Sequence, residues 1–213
     1  MPVIDFAHLF AVFNGSRVRE ETVTDSIQDS PPGKYLQITN RRVFEQGTHG
    51  KFGIYEDEQD GTFTANFNGM IIEEFILQQN TQENLGTIAF TLCAIQSCLY
   101  GIGKIELTAG GCGKEHPRKD EYNARLYGYN VWPKFGFDAP LDEDEFHDGY
   151  VPELKGCKTV LDAVEANEEA WKLYGSQRRM SFDLTPYSRS WNKLLNYISP
   201  IIKEATDDLA NLS

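Results

Sequence analysis

Apolar residues recur at Phe6, Leu9, Phe10 and Phe13 of DFAHLFAVFNG, a spacing that predicts a helix closing at Asn14-Gly15. The next stretch, ETVTDSIQDSPPG, is polar, and its Pro31-Pro32-Gly33 marks a turn or loop. From residue 34 the period changes to two. KYLQITNRRVF and KFGIYEDE alternate as strands, Asp60-Gly61 is a hairpin signal, and GTFTANFNG continues the pattern with Phe63, Ala65 and Phe67. MIIEEFIL (70–77) reads as a further strand, broken by Glu73 and Glu74. Antiparallel pairing is the simplest account of residues 34–77.

After the polar link QQNTQEN the helical period returns. Leu85, Ile88, Ala89, Leu92, Ile95 and Leu99 share one face, and Gly101 and Gly103 close the helix. KIELTA (104–109) is a strand again. A strand, loop, long helix and strand in that order predict a unit whose two strands pair in parallel. The glycine-rich, charged GGCGKEHPRKDEYN then reads as a flexible loop. The aromatic run YGYNVWPKFGF (127–137) follows, with Phe135 and Phe137 expected in the core, and PLDEDEFHD reads as exposed acidic surface. TVLDAVEANEEAWKLYG forms an amphipathic helix with Val160, Leu161, Val164 and Trp171 on one side. MSFDL is a short strand, SRSWNKLLNYI a helix after Thr185-Pro186, and the tail past Pro200 stays helical in pattern. No repeat or linker demands a division. The chain is expected as a single α/β domain with a mixed sheet, a core over about residues 34–140 and a helical extension over about 150–213.

Composition narrows the partners. The 213 residues are 40% hydrophobic and 12% aromatic, ordinary for a globular protein. A formal charge of −12 repels nucleic acid and anionic membranes, and is compatible with a cationic ligand. Cys93, Cys98, Cys112 and Cys157 have no zinc-type spacing, and Cys93 and Cys98 lie in the apolar helix as small hydrophobes. With no secretory signal and no run of ~20 apolar residues, a reducing cytoplasm is the expected setting. His8, His49, His116 and His147 show no metal-ligand spacing, so no metal is expected.

Chemistry concentrates where the strand at 70–77 feeds the helix at 85. The first amides of a helix lack intrahelical acceptors and sit at the positive end of its dipole, which makes an anion site. Here those residues are Gln82, Glu83, Asn84, Leu85, Gly86 and Thr87. Gly86 lets a phosphate approach the backbone, and Asn84 can take the left-handed conformation. The plainer alternative is that Gly86 only lets the helix pack closely on the sheet.

This order of elements, with NTQENLGTIAF (80–90) and WPKFGF (132–137), resembles the GNAT superfamily of acyl-CoA N-acyltransferases over about half the chain. In that family a pyrophosphate loop of the form Gln/Arg-x-x-Gly-x-Gly/Ala precedes the long helix. A Leu-Tyr-x-Lys-x-Gly-Phe-like signature ends the core. The resemblance implies acetyl-CoA or another acyl-CoA as co-substrate, with pyrophosphate on the amides of Gln82, Asn84, Leu85, Gly86 and Thr87. It also implies pantetheine bound along the backbone of Phe75, Ile76 and Leu77, and transfer of the acyl group to a primary amine.

Thr81 stands where Gln or Arg is usual, and Asn84 replaces the first glycine. Trp132 stands where many relatives carry the tyrosine that protonates the departing thiolate, and indole has no usable acid proton. Tyr129, one helical turn earlier, is the candidate donor; Tyr127 is a second, and Pro133 is expected to turn Trp132 away from helical geometry. Glu73, Glu74 and, on the next strand, Glu106 are candidate bases for the incoming ammonium, against the alternative of surface carboxylates. Adjacent Glu73 and Glu74 point to opposite faces, so at most one enters a given cleft. Gly110-Gly111-Cys112-Gly113 invites comparison with a phosphate nest but reads better as loop. Arg178-Arg179 could meet the 3′-phosphate of the coenzyme or simply be solvated. Two other readings stand beside the enzyme: a catalytically silent interaction protein of the same fold, and a regulatory subunit that binds coenzyme without turnover. An exposed strand or the final helix could support a homodimer.

Overall fold

The computed structural model describes residues 14–24, 31–44, 50–55, 69–74, 84–117, 125–142, 146 and 151–211. The helix expected over Phe6–Phe13, the Asp60-Gly61 turn, the alternating run 61–68, Phe75, Ile76, Leu77 and Gln82 lie outside them, as does most of the acidic stretch 143–149. The described chain mixes strands and helices and falls into two compact units. The first comprises residues 1–106 and 184–186, the second residues 107–183 and 187–213.

In the first unit, β1 (Arg17–Val23), β2 (Gly33–Thr39), β3 (Gly50–Tyr55) and β4 (Gly69–Glu74) pair antiparallel in chain order. Of the antiparallel pairing expected over residues 34–77, the part within the described residues is therefore present. On one face lie Leu36, Ile38, Phe52 and Ile54, all buried. On the other, Tyr35 lies opposite Gly53 in the register, and its ring fills the space that a Gly53 side chain would take. Its hydroxyl donates to the Pro31 carbonyl (2.6 Å), and the Lys51 ammonium lies 5.2 Å from the ring centre.

Strand β1 adds an element to the sequence reading, which took residues 21–33 as a polar segment and named no strand before residue 34. Six of its seven residues are exposed, so burial imposes no alternation to read. The backbone ladder to β2 holds it, with Val23 packed against Tyr35 and Tyr55, and its charged Arg and Glu residues discourage pairing with a foreign strand.

The first unit also contains α1 (Leu85–Leu99) and the start of β5 (Lys104–Cys112), which neighbours β4. Helix α1 ends as its glycines suggest. Gly101 takes φ +76°, its N–H donates to the Cys98 carbonyl (3.0 Å), and Ile102 N–H donates to the Ser97 carbonyl (3.0 Å), the double bond of a Schellman close. The buried face is not the expected one. Thr87, Ala89, Phe90, Cys93, Ala94 and Ser97 are buried, whereas Ile88, Leu92, Ile95 and Leu99 are exposed.

In the second unit β5 continues from Leu107 beside β6 (Ser176–Asp183). Gly113 N–H donates to the Gly175 carbonyl (2.8 Å) and Glu115 N–H to the Leu173 carbonyl (3.0 Å), so the chain leaving β5 runs antiparallel to the chain entering β6. Gly110, Gly111 and Cys112 are thus strand and not flexible loop. Gly111 to Gly113 are buried, a Gly113 side chain would overlap the Leu173 carbonyl, and a Gly128 side chain would come within 2.8 Å of the Gly110 nitrogen. These glycines let backbones approach each other.

Two long helices complete this unit, α3 (Val160–Tyr174) and α4 (Arg189–Asn211), with the short α2 (Gly128–Val131) preceding them. A capping box starts α3. Asp162 N–H donates to Thr159 Oγ1 (3.2 Å), and Thr159 N–H donates to Asp162 Oδ2 (3.1 Å). Burial alone would push the Asp162 carboxyl up, but the Arg189 guanidinium (2.8 Å) and the Lys158 and Thr159 amides outweigh it and hold it below the usual carboxylate range. That contribution to stability is complete near neutrality and fades as pH falls through the depressed value. Thr159→Ala is expected to cost about 1 kcal/mol in a urea titration. A loss within a few tenths of a kcal/mol of zero would show that the hydroxyl does not hold the helix end.

Candidate functional site

The start of α1 has the features of an anion site. Asn84 adopts φ 62°, ψ 4°, the left-handed conformation that its sequence position allows. The Asn84 side chain makes no capping hydrogen bond, and no acidic residue occupies the first turn of the helix to offset the positive end of the dipole from within it. Ile88 N–H donates to the Asn84 carbonyl (2.9 Å), which leaves the amides of Leu85, Gly86 and Thr87 ahead of the first helical hydrogen bond. Leu85 and Gly86 are half-buried and Thr87 is buried. Deeper in the helix, burial raises the Cys93 thiol to about 12 against a lowering hydrogen bond from Ser97. That thiol is an inert core group.

A polar cluster sits elsewhere in the first unit, on β3 and β5. The Tyr55 hydroxyl donates to Glu106 Oε2, and Lys104 Nζ lies 3.1 Å from Glu106 Oε1. The Glu106 side chain is 12% exposed. Alternation explains the placement, because Ile105, Leu107 and Ala109 are buried and Lys104 and Glu106 take the opposite face. A sheltered carboxylate between a phenol and an ammonium can accept a proton or hold a cation. It is equally suited to pinning two strands together.

In the second unit the aromatic run folds as α2 followed by a 3-10 turn, Trp132–Phe135, that ends at Gly136 with φ +95°. Trp132 keeps helical dihedrals (φ −63°, ψ −35°), contrary to the expectation raised by Pro133. Pro133 opens the new turn, where its missing N–H costs no hydrogen bond. The rings then pack edge to face. Trp132 lies 5.6 Å from Phe135 and 5.2 Å from Phe137, and Phe137 lies 5.7 Å from Phe182. Phe135 and Phe137 are core residues, as expected. After Phe137 the chain pairs with β6: Asp138 N–H donates to the Ser181 carbonyl (2.9 Å), and Ser181 N–H donates back to Asp138 (2.8 Å).

Tyr129 is 3% exposed, and its hydroxyl donates to the Lys172 carbonyl (2.7 Å). Trp171 Nε1–H donates to the Tyr129 carbonyl (3.0 Å), so both ends of this residue are tied to α3. Burial first, then the neighbouring Cys112 and Tyr127, raise the phenol above its ordinary value. The hydroxyl is protonated throughout the neutral range and is a weaker acid than a free tyrosine. Beside it, the Asn130 side-chain oxygen is buried without a hydrogen-bond partner among the described residues. Tyr127 is exposed.

Of the other sequence candidates, Glu73 and Glu74 are the last two residues of β4, paired with β3 through Glu74 opposite Lys51. Of the pair Arg178-Arg179, Arg179 is exposed and Arg178 is half-buried against its own unit. The Arg178 guanidinium lies 5.3 Å from the Trp171 ring centre and donates to Ser176 Oγ (3.0 Å). No signal in the sequence marked Trp171 as the partner of Tyr129, because the two lie 42 residues apart. None of the four cysteines forms a disulfide. Among the described residues no group of three or more His, Cys, Asp or Glu is placed to hold a metal ion, and no helix is long and apolar enough to cross a membrane.

No known family model matches the chain, and no curated protein matches it in sequence.

Proposed function

We propose that the chain is a divergent acyl-CoA-dependent N-acyltransferase of the GNAT kind. The observation that carries this reading is the start of α1: a left-handed Asn84, an uncapped first turn without acid, and Gly86 among the leading amides. A diphosphate suits that place by charge and by its hydrogen-bond acceptors. The return of the Phe137-Asp138 chain to pair with β6, directly after the glycine that ends the aromatic turn, is in keeping with the same reading.

In this reading β4 and β5 run parallel, and the backbone of Phe75, Ile76 and Leu77 holds the pantetheine amides. A primary amine attacks the thioester carbonyl, the carbon–sulfur bond breaks, and the thiolate leaves with a proton. Glu73, Glu74 or Glu106 takes the proton lost by the amine. Tyr129 is the proposed donor to sulfur on sequence grounds, and to act it must exchange its hydrogen bond with Lys172.

Acetyl-CoA in large excess over its dissociation constant is expected to raise the melting temperature, since a ligand bound only by the folded state stabilises it. No rise with acetyl-CoA or longer acyl-CoAs would remove the enzyme reading. Gly86→Val is expected to abolish the rise by blocking phosphate approach; a rise that persists would move the anion site elsewhere.

A second reading, coenzyme binding without turnover, is favoured by one observation: the Tyr129 hydroxyl is already engaged and its acidity is lowered. Tyr129→Phe separates the two. Turnover that falls at least about tenfold with the thermal rise intact supports catalysis through Tyr129. An unchanged rate removes Tyr129 from the mechanism.

A further inference from the structure

Helix α1 carries an apolar stripe that the first unit does not bury. Ile88 is 49% exposed, Leu92 48%, Ile95 41% and Leu99 75%. The stripe spans about 16 Å at the rise of an α-helix. Isolated exposed hydrophobes need no explanation, but four in a row on one helix face mark an interaction surface.

We propose that this stripe is the contact between two copies of the chain, packed as an antiparallel helix pair about a two-fold axis. The spacing of the four residues is four, three, four, which reads the same in both directions. Reversing the helix sets Ile88 against Leu99 of the second copy and Leu92 against its Ile95. Every layer then joins one isoleucine to one leucine, as self-complementary contact about a two-fold requires. A spacing of three and four is also the seam along which two helices pack at a small crossing angle.

Charge points to the same occupant. No charged residue occurs from Leu85 to Gly103, although the chain carries a formal charge of −12. The stripe therefore lets two strongly acidic molecules meet without placing like charges in contact. Thr91 and Gln96, beside the stripe, are polar and uncharged and can hydrogen-bond across it. A foreign partner of an acidic protein would be expected to use basic side chains, for which this surface offers no acidic counterpart. One helix face is a small interface, so the dimer is expected to dissociate in the micromolar range.

Sedimentation velocity over low to high micromolar concentrations tests the proposal. Wild type is expected to shift from monomer to dimer. Ile88→Glu and Leu99→Lys, each at an exposed position, are expected to weaken the dimer at least about tenfold, because each buries an unpaired charge on association. Combining the two substitutions sets the new carboxylate at position 88 of each copy against the new ammonium at position 99 of the other. The double variant is therefore expected to recover part of the loss. Ile202→Glu, on the exposed part of α4, is expected to leave dimerisation unchanged. A wild type that stays monomeric overturns the proposal, as does full dimerisation by the single variants or no recovery by the pair. A monomeric full-length chain that dimerises once residues 1–13 are removed also overturns it, since those residues would then be the natural cover of the stripe.

Discussion

Trp171→Ala is expected to destabilise the protein by about 3–5 kcal/mol, the range for emptying a large aromatic site in a core. Trp171 is 0% exposed. Its ring centre lies 6.4 Å from that of Phe146 and 5.3 Å from the Arg178 guanidinium. On another side Gly175 packs so closely that an added side chain would stand 2.7 Å from the indole. The alanine variant leaves a cavity among groups that cannot all close in, and it leaves the buried Tyr129 carbonyl without its donor. Trp171→Phe keeps most of the volume and loses mainly the N–H, so about 1–2 kcal/mol is expected from it. Urea unfolding of both variants measures the difference. A loss below about 1 kcal/mol for the alanine variant would mean that the core around Trp171 is not closed as described.

Gly111→Ala is expected to cost at least about 3 kcal/mol, although it adds a single methyl. Two causes act together. Gly111 has φ +103°, where an L-residue is strained by about 1–2 kcal/mol. Its side chain would also overlap the Leu126 carbonyl, a backbone group that cannot move without breaking the Gly111–Tyr127 bridge. Gly156→Ala separates the causes: it has φ +84°, but nothing lies within 4 Å of the added carbon. That variant is expected to lose only the conformational part, about 1 kcal/mol. Equal losses at the two positions would show that the close approach at Leu126 contributes nothing.

The same close approach explains why the glycine run was misread. A sequence shows that the glycines of Gly110-Gly111-Cys112-Gly113 have no side chains to pack, and polar neighbours then suggest a loop. It does not show Leu126 and Leu173 arriving to use the empty space. Strands β2 and β3 were legible because Leu36 and Ile38, and Phe52 and Ile54, recur at every second position, the period of a strand. Strand β1 was not, because a strand with six of seven residues exposed has no buried face to imprint a pattern. In α1 the period was right and the face was wrong. Its small residues Ala89, Cys93, Ala94 and Ser97 went inside with Phe90, while the larger aliphatic residues stayed out. Apolar periodicity measures amphipathicity, and a helix whose polar residues are only Thr, Ser and Gln has two faces that can be buried. At the candidate site, Asn84 and Gly86 could be singled out by local rules of helix termini. The link from Tyr129 to Lys172 and Trp171 could not, because it depends on how distant segments pack.

Helix α3 is interrupted once. Asn167 has φ −160° and ψ 97°, and its side-chain oxygen accepts the N–H of Ala170 (3.0 Å), as at the start of a fresh helix. Residues 160–166 and 168–174 therefore do not share an unbroken ladder of hydrogen bonds. In terms of amide exchange, each half can open and close on its own, and protection need not be uniform along what looks like one rod. The half that holds Tyr129, through Trp171 and Lys172, can then fluctuate without unwinding the half anchored by Thr159 and Asp162. The rigidity of that tyrosine is set by seven residues of helix and not by fifteen.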